Sequence, residues 1–229
     1  MKAFSTEQKL LHKLILHSND VPSYSLFYGQ MGIALTLAHY SKIKSAKPLK
    51  YIAQNLIDES LKNINEDVPL GLSKGLCGIG WSIEYLIQNQ HMRGDSREIC
   101  EIIDKKLMTV NIKYVDNIEI DNGLEGWLHY ILAHAKSGNL PFPKDYIAEW
   151  DFTIHAILNN NTGLSDTFIS SANSFIKMCR GEEWCYNLSL LNFIKKDIKS
   201  TTNLLGLRNG IAGYIETHYL QKNEKDIYS

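Results

Sequence analysis

Two kinds of apolar segment alternate along the chain. In the first kind, apolar residues recur every three or four positions opposite a polar face, which is typical of a helix with one side in water. These segments span residues 6–18, 48–64, 96–110, 143–158 and 183–198. The second kind carries few charges and is apolar around most of its circumference, which predicts an interior helix. It comprises IALTLAHY, IGWSIEYLI, WLHYILAHA, TFISSANSFI and IAGYIETHYL.

Glycines spaced three residues apart open most of the apolar segments. The pairs are Gly29/Gly32, Gly75/Gly78, Gly123/Gly126 and Gly210/Gly213. Their first glycines are separated by 46, 48 and 87 residues, and Gly163 with Asp166 supplies a degenerate copy inside the long interval. The spacing predicts five helical hairpins in a single domain over residues 1–229, that is, an all-α (α/α) toroid, open toroid or solenoid. Close packing of backbones explains most of the glycines.

The amino-acid composition and net charge of the chain argue against several classes of protein. The chain has 229 residues, 44% of them apolar, and its 24 Lys and Arg nearly balance its 25 Asp and Glu. A net charge of −1 argues against nucleic acid and anionic membrane surfaces as partners. The apolar runs are too short for a transmembrane helix, and four cysteines are too few for a disulfide scaffold of this size. We therefore expect a cytoplasmic protein with free thiols.

The glycine-opened segments resemble those of the lanthionine synthetase cyclase-like (LanC-like) family. The matching stretches are LFYGQMGIALTL, GLSKGLCGIGWSIEYL, IDNGLEGWLHYIL and LLGLRNGIAGYIE. The resemblance implies an α/α toroid with fewer hairpins than the family usually has. It also implies a central zinc ion, held by a Cys in a Trp-Cys-Tyr-Gly element and by a later Cys-His pair. That zinc activates a peptide thiol for addition to a dehydrated Ser or Thr.

The implied zinc ligands are only partly present. Trp184-Cys185-Tyr186 matches the family element, with Asn187 in place of its Gly, but Arg208 and Asn209 stand where the Cys-His pair belongs. Arg cannot ligate zinc and Asn is a poor ligand. We therefore expect no cofactor. Zinc stays possible through Cys185 with Cys77 and a third ligand that the sequence does not identify.

The resemblance also implies candidate catalytic residues. They are Glu119 or Asp121 as the acidic residue before the third glycine turn, Asp166 where a catalytic His is expected, Arg180 one residue out of step with an expected Arg, and Tyr186 of the Trp-Cys-Tyr element. The candidate ligand-binding residues are Asp67, Trp81, Asp121, Trp127, Arg208 and Asn209. Acidic residues beside these turns, Glu125 and Asp20 included, could form an acidic rim for a cationic or polar peptide. The macrodipole of the following helix explains most of them without a ligand.

Three functions follow from these patterns. The first is a non-catalytic accessory protein that binds a peptide substrate or a partner enzyme in bacterial modified-peptide biosynthesis, with a homodimer as one form it could take. The second is a zinc-dependent thioether-forming cyclase with a divergent site, which tightly held stoichiometric zinc would favour. The third is a carbohydrate-active hydrolase using a carboxylate pair such as Asp67 with Asp121. Loss of two of the three expected zinc ligands favours the first, and hence a protein that is not an enzyme.

Overall fold

The computed structural model describes residues 4–65, 67–138, 140–195 and 197–221, and this part of the chain contains helices and no strand. The prediction of an all-α fold is confirmed. The α-helices are α1 (Thr6–His17), α2 (Gln30–Ile43), α3 (Lys47–Lys62), α4 (Leu76–Gln88), α5 (Ser96–Ile99), α6 (Glu101–Met108), α7 (Leu124–Lys136), α8 (Lys144–Asn160), α9 (Asp166–Cys179) and α10 (Ile211–Ile215). None of these helices is both long and apolar enough to cross a membrane.

The helices belong to two compact units, so the single domain stays a prediction. The first unit comprises Met1–Ile64 and Ser189–Ser229. In it, α3 packs along α2, and α10 contacts α1 and α2 before continuing into a π-helical turn, Glu216–Leu220. Its fully buried core includes Leu14, Met31, Leu35, Leu56 and Ile211.

The second unit comprises Asn65–Leu188. Helix α7 lies between α4 and α9, and α8 packs on α9. The largest buried side chains of this unit are Trp81, Tyr130, Trp150, Phe168 and Phe175. The candidate site described below is built on the ends of α7 and α9.

The distribution of buried residues in α2, α3 and α4 agrees with the predicted alternation of partly exposed and interior helices. Helix α3 buries only one stripe, which includes Leu49, Ala53 and Leu56, whereas every residue from Gln30 to Tyr40 of α2 is buried. Residues 76–86 of α4 are likewise all buried. The predictions of α2 and α4 as interior helices are therefore confirmed.

Four interior helices begin under the same folded-back loop. In each, the first helical N–H donates to a carbonyl oxygen seven residues earlier, at 2.7 to 2.9 Å. The pairs are Gln30 to Ser23, Leu76 to Pro69, Leu124 to Asn117 and Ile211 to Leu204. None of these four helices has a side-chain cap at its N-terminus. The loop backbone satisfies N–H groups that the helix itself leaves unpaired.

The paired glycines are required by this loop. A Cβ placed on Gly126 would lie 2.7 Å from Leu72 Cβ and would overlap the carbonyl oxygen of Ile120. A Cβ on Gly213 would overlap the carbonyl oxygen of Leu207 in the same way. The packing explanation of the glycines is therefore confirmed, and the approaching backbone belongs mainly to the preceding loop.

The fourth repeat differs from the prediction. Gly163 adopts a left-handed φ of +92°, and Ser165, not a glycine, caps α9 by accepting a hydrogen bond from the Phe168 N–H. Helix α9 buries only one face, and residues such as Asn173 on its other side face solvent. The prediction that α9 is buried on all sides was wrong, because its serines and asparagine are compatible with water on that face.

The predicted outer helix over residues 183–198 was also wrong. Residues 182–188 have no helical structure, and only a short 3-10 turn follows, Leu190–Phe193. The Ser174 hydroxyl donates to the Cys185 carbonyl at 2.8 Å, and Lys136 Nζ donates to the Tyr186 carbonyl at 2.9 Å. Side chains of α7 and α9 therefore satisfy two backbone acceptors that would otherwise need hydrogen bonds within a helix.

We expect Gly126→Ala to lower the free energy of unfolding by about 1–3 kcal/mol, the usual cost of forcing extra atoms into a packed site. Urea unfolding followed by circular dichroism measures it. Gly94→Ala is the matched control, because its added Cβ would meet only the terminal methyl of Ile99. Equal unfolding midpoints for the two variants would contradict the role given to the loop.

Candidate functional site

Tyr186 lies at the centre of a buried polar network in the second unit. The Trp81 indole N–H donates to the Tyr186 hydroxyl at 2.8 Å, and His129 Nδ1 lies 2.8 Å from the same oxygen. An indole is only a donor, so the Tyr186 hydroxyl is the acceptor in its contact with Trp81. The extended segment 182–188 thus carries Tyr186 to residues of α4 and α7.

Glu125 extends the network one helical turn from His129. Its carboxylate accepts hydrogen bonds from the Thr167 hydroxyl at 2.5 Å and the Ser165 hydroxyl at 3.2 Å, and it lies 4.0 Å from His129 Nε2. Burial raises the pKa of Glu125, and the two hydroxyl groups oppose that shift. We call Trp81, Glu125, His129, Thr167 and Tyr186 the Tyr186 network.

His129 is neutral in this network. Burial lowers its pKa to about 4, because a protonated imidazole would lose its hydration there. Burial likewise raises the pKa of the Tyr186 hydroxyl. A neutral imidazole beside a carboxyl group is a proton-accepting and proton-donating pair in chemical terms, but both side chains are only 6% exposed. Their observed contacts link α4, α7, α9 and segment 182–188.

A second network lies deeper in the same unit. His134 Nδ1 lies 2.7 Å from Glu84 Oε1, and His134 Nε2 lies 2.7 Å from the Tyr130 hydroxyl and 3.5 Å from Asp104 Oδ1. The Tyr130 hydroxyl donates to Asp104 at 2.6 Å. We call these four residues the His134 network.

His134 carries a positive charge between two carboxylates. Burial alone would lower its pKa, but hydrogen bonds with Asp104, Cys100 and Glu84 raise the pKa to about 11. Both ring N–H groups therefore donate. Side-chain exposure is 0% for His134 and Glu84 and 5% for Asp104. This network therefore holds α4, α6 and α7 together and is closed to a peptide.

The structure separates the sequence-predicted site residues. Tyr186 and Trp81 are brought together as described, whereas Trp127 and Asp121 are half-buried outside this network. Four other candidates are exposed: Asp67, Glu119, Asp166 and Arg180. Arg180 contacts His155, with 3.1 Å between Nη2 and Nε2, and does not approach the network residues within hydrogen-bond distance in the described chain.

Arg208 and Asn209 lie in the first unit, at the turn that opens α10. The Arg208 guanidinium carbon lies 4.7 Å from the centre of the Phe27 ring, and the Arg208 N–H donates to the Phe27 carbonyl at 3.1 Å. Asn209 lines a cavity of about 580 Å³ together with Lys195, Lys199 and Thr202. Two predicted ligand-binding residues are therefore neighbours at one turn.

The donor atoms at the implied zinc positions do not fit zinc. Arg208 is a cation over an aromatic ring and has no lone pair to offer. Cys77 is completely buried, and burial raises the pKa of its thiol, as do Asp104 and Cys100, whereas Cys185 is exposed. Among the described residues, no three Cys, His, Asp or Glu side chains form a group that could hold a metal ion.

Sequence reasoning missed the His134 network. The signal was present as a single acid, Glu84, inside the apolar segment IGWSIEYLI, because a buried carboxylate needs a charged or hydrogen-bonding partner. His129 and His134 are five residues apart and therefore point to different sides of α7. Each belongs to a different network.

Comparison with known proteins gives a family match over most of the chain. The model of the family described as lanthionine synthetase C-like protein matches residues 20–226. Searches of curated proteins and of solved structures gave no match.

We expect Tyr186→Phe to destabilise the protein by about 1–3 kcal/mol, because Trp81 and His129 each lose the hydroxyl that they contact in a buried site. The free energy of unfolding in urea measures the loss. Tyr51→Phe on α3 is the control, since Tyr51 is 75% exposed. A loss no larger than that of the control would show that the hydroxyl is dispensable.

We expect stability to fall as pH rises above about 7, partly through His134. Its pKa is about 11 in the folded chain and about 6.5 when unfolded. Between these values only the folded state keeps the proton, so the free energy of unfolding falls by up to about 1.4 kcal/mol per pH unit. Urea unfolding between pH 7 and about 10 should show a shallower slope for His134→Gln than for the unchanged chain. His155→Gln should keep the original slope, and a common slope for all three would contradict the assignment.

Proposed function

Because the chain belongs to the lanthionine synthetase C-like family, whose fold is an α/α toroid, we propose that this lanthipeptide-related protein binds a peptide without performing the zinc-dependent ring-forming step. Binding to a partner biosynthetic enzyme and homodimer formation remain predictions from the sequence.

The single observation that carries the proposal is the environment of Arg208. The resemblance places a zinc-ligating residue at this position, and here a guanidinium group lies over the Phe27 ring. Such a cation is attracted to the ring face and repels a second cation at short range. A metal ion at the same turn would therefore lack a ligand and meet a positive charge.

The adjoining cavity supports binding in the absence of metal chemistry. Its volume of about 580 Å³ lies within the range of pockets that hold drug-sized ligands. Asn209 contributes an amide to the lining, and its Oδ1 atom is buried with no hydrogen-bond partner among the described residues. A peptide N–H is a suitable donor for that atom.

The test uses the purified full chain and a short peptide containing a thiol and a dehydrated Ser. We expect the peptide to bind with unchanged affinity in excess EDTA, as measured by fluorescence anisotropy. We also expect elemental analysis of protein purified without added zinc to find well below one zinc ion per chain.

The catalytic alternative is tested in the same samples. The chain, with zinc supplied, should not accelerate loss of the peptide thiol relative to a reaction without protein, with the remaining thiol counted by alkylation and mass spectrometry. Stoichiometric zinc together with accelerated thiol loss would overturn the non-catalytic proposal and favour a divergent cyclase.

A further inference from the structure

The cavity beside α10 has a distinctive lining. It is bordered by residues of the segment 195–202 on one side and by Asn209 on the other. The Lys195 N–H donates to the Arg208 carbonyl at 3.2 Å, and the Thr202 hydroxyl donates to the Asn209 carbonyl at 3.4 Å. One backbone and one side-chain hydrogen bond therefore join the two sides of the cavity.

The charge of the lining is positive. Lys195 and Lys199 contribute two ammonium groups, and among the described lining residues Asp197 contributes the only carboxylate. Neither lysine forms an ion pair in the part of the chain that the structure describes, and both are exposed. The two ammonium groups are therefore available to a carboxylate from outside.

The buried Asn209 acceptor adds a second requirement. Its Oδ1 atom has no hydrogen-bond partner among residues 4–65, 67–138, 140–195 and 197–221, and an unmet acceptor favours a ligand that brings an N–H group. A fully ionised inorganic anion has negative charge but no donor, whereas a peptide with Asp or Glu side chains has both.

From this lining we infer that the cavity binds an acidic segment of a peptide, with carboxylates toward Lys195 and Lys199 and a backbone N–H toward Asn209. The inference rests on the proposed peptide-binding function and names the chemistry of the bound segment. An acidic segment is the opposite of the cationic peptide that the predicted acidic rim would favour. The reason is that the described residues lining this cavity carry a net positive charge.

Three short fluorescent peptides of equal length test the inference with the full chain. They share a Gly/Ser sequence and differ only in carrying Glu, Gln or Lys at the same positions. We expect the Glu peptide to bind at least about tenfold more tightly than the Gln peptide, a difference of about 1.4 kcal/mol. Added salt should weaken the binding of the Glu peptide, because the lysines are exposed.

Charge reversal locates the site. Lys195→Glu with Lys199→Glu should remove the preference for the Glu peptide, and Asn209→Ala, which removes the amide oxygen, should weaken the binding of that peptide. The matched control is Lys47→Glu with Lys50→Glu on α3, which makes the same change in net charge at exposed positions outside the cavity lining. Circular dichroism checks that all variants fold.

The outcomes separate the two proposals. Equal affinity for the Glu and Gln peptides, unchanged by the double reversal, would overturn the acidic-segment inference while peptide binding stands. Equal effects of the two double variants would also overturn it, because the charge effect would not be local. Failure of all three peptides to bind would contradict the inference, whereas the zinc and thiol measurements described above decide the non-catalytic function independently.

Discussion

The start of the interior helices depends on backbone groups, not on side-chain caps. The loop that folds back over each of four helices offers carbonyl oxygens to the first helical N–H groups, as when Ile118 accepts from Glu125 at 3.3 Å. Such helices can begin in the protein interior because their donors are satisfied locally. The same loop excludes any side chain at positions such as Gly126, so the glycine spacing and the helix start are one constraint.

The loop that fixes the start of α7 also determines where the polar side chains of this helix lie. Glu125 lies in the first turn, directly before Gly126, and His129 lies one turn later, so both side chains lie on the same side of the helix. His134 faces a different side of the helix and meets Glu84 and Asp104. One helix therefore holds a neutral and a charged imidazole at once. Removing one member of the charged network would leave another buried charge uncompensated, which is far more costly than losing an exposed pair.

The sequence predicted the parts of the fold that depend on local pattern. The G-x-x-G spacing located the starts of α2, α4, α7 and α10, and the scarcity of charges marked most of the interior helices. It failed over residues 183–198, whose apolar pattern is typical of a helix. The groups that hold this segment extended, Ser174 and Lys136, lie far from their acceptors in sequence. Tyr186 was predicted as a site residue. Its contacts with Trp81 and His129 were not predicted, because these partners also lie far from it in sequence.

Arg208 has a consequence for the chemistry of the turn that opens α10. Its guanidinium interacts with the Phe27 ring. Exchange of Arg208 for cysteine would remove that stacking and would still leave Asn209 beside it as a weak metal ligand. A single exchange at position 208 would therefore lose a packing contact without completing a metal site, so giving this turn affinity for a metal ion requires concerted changes at both positions.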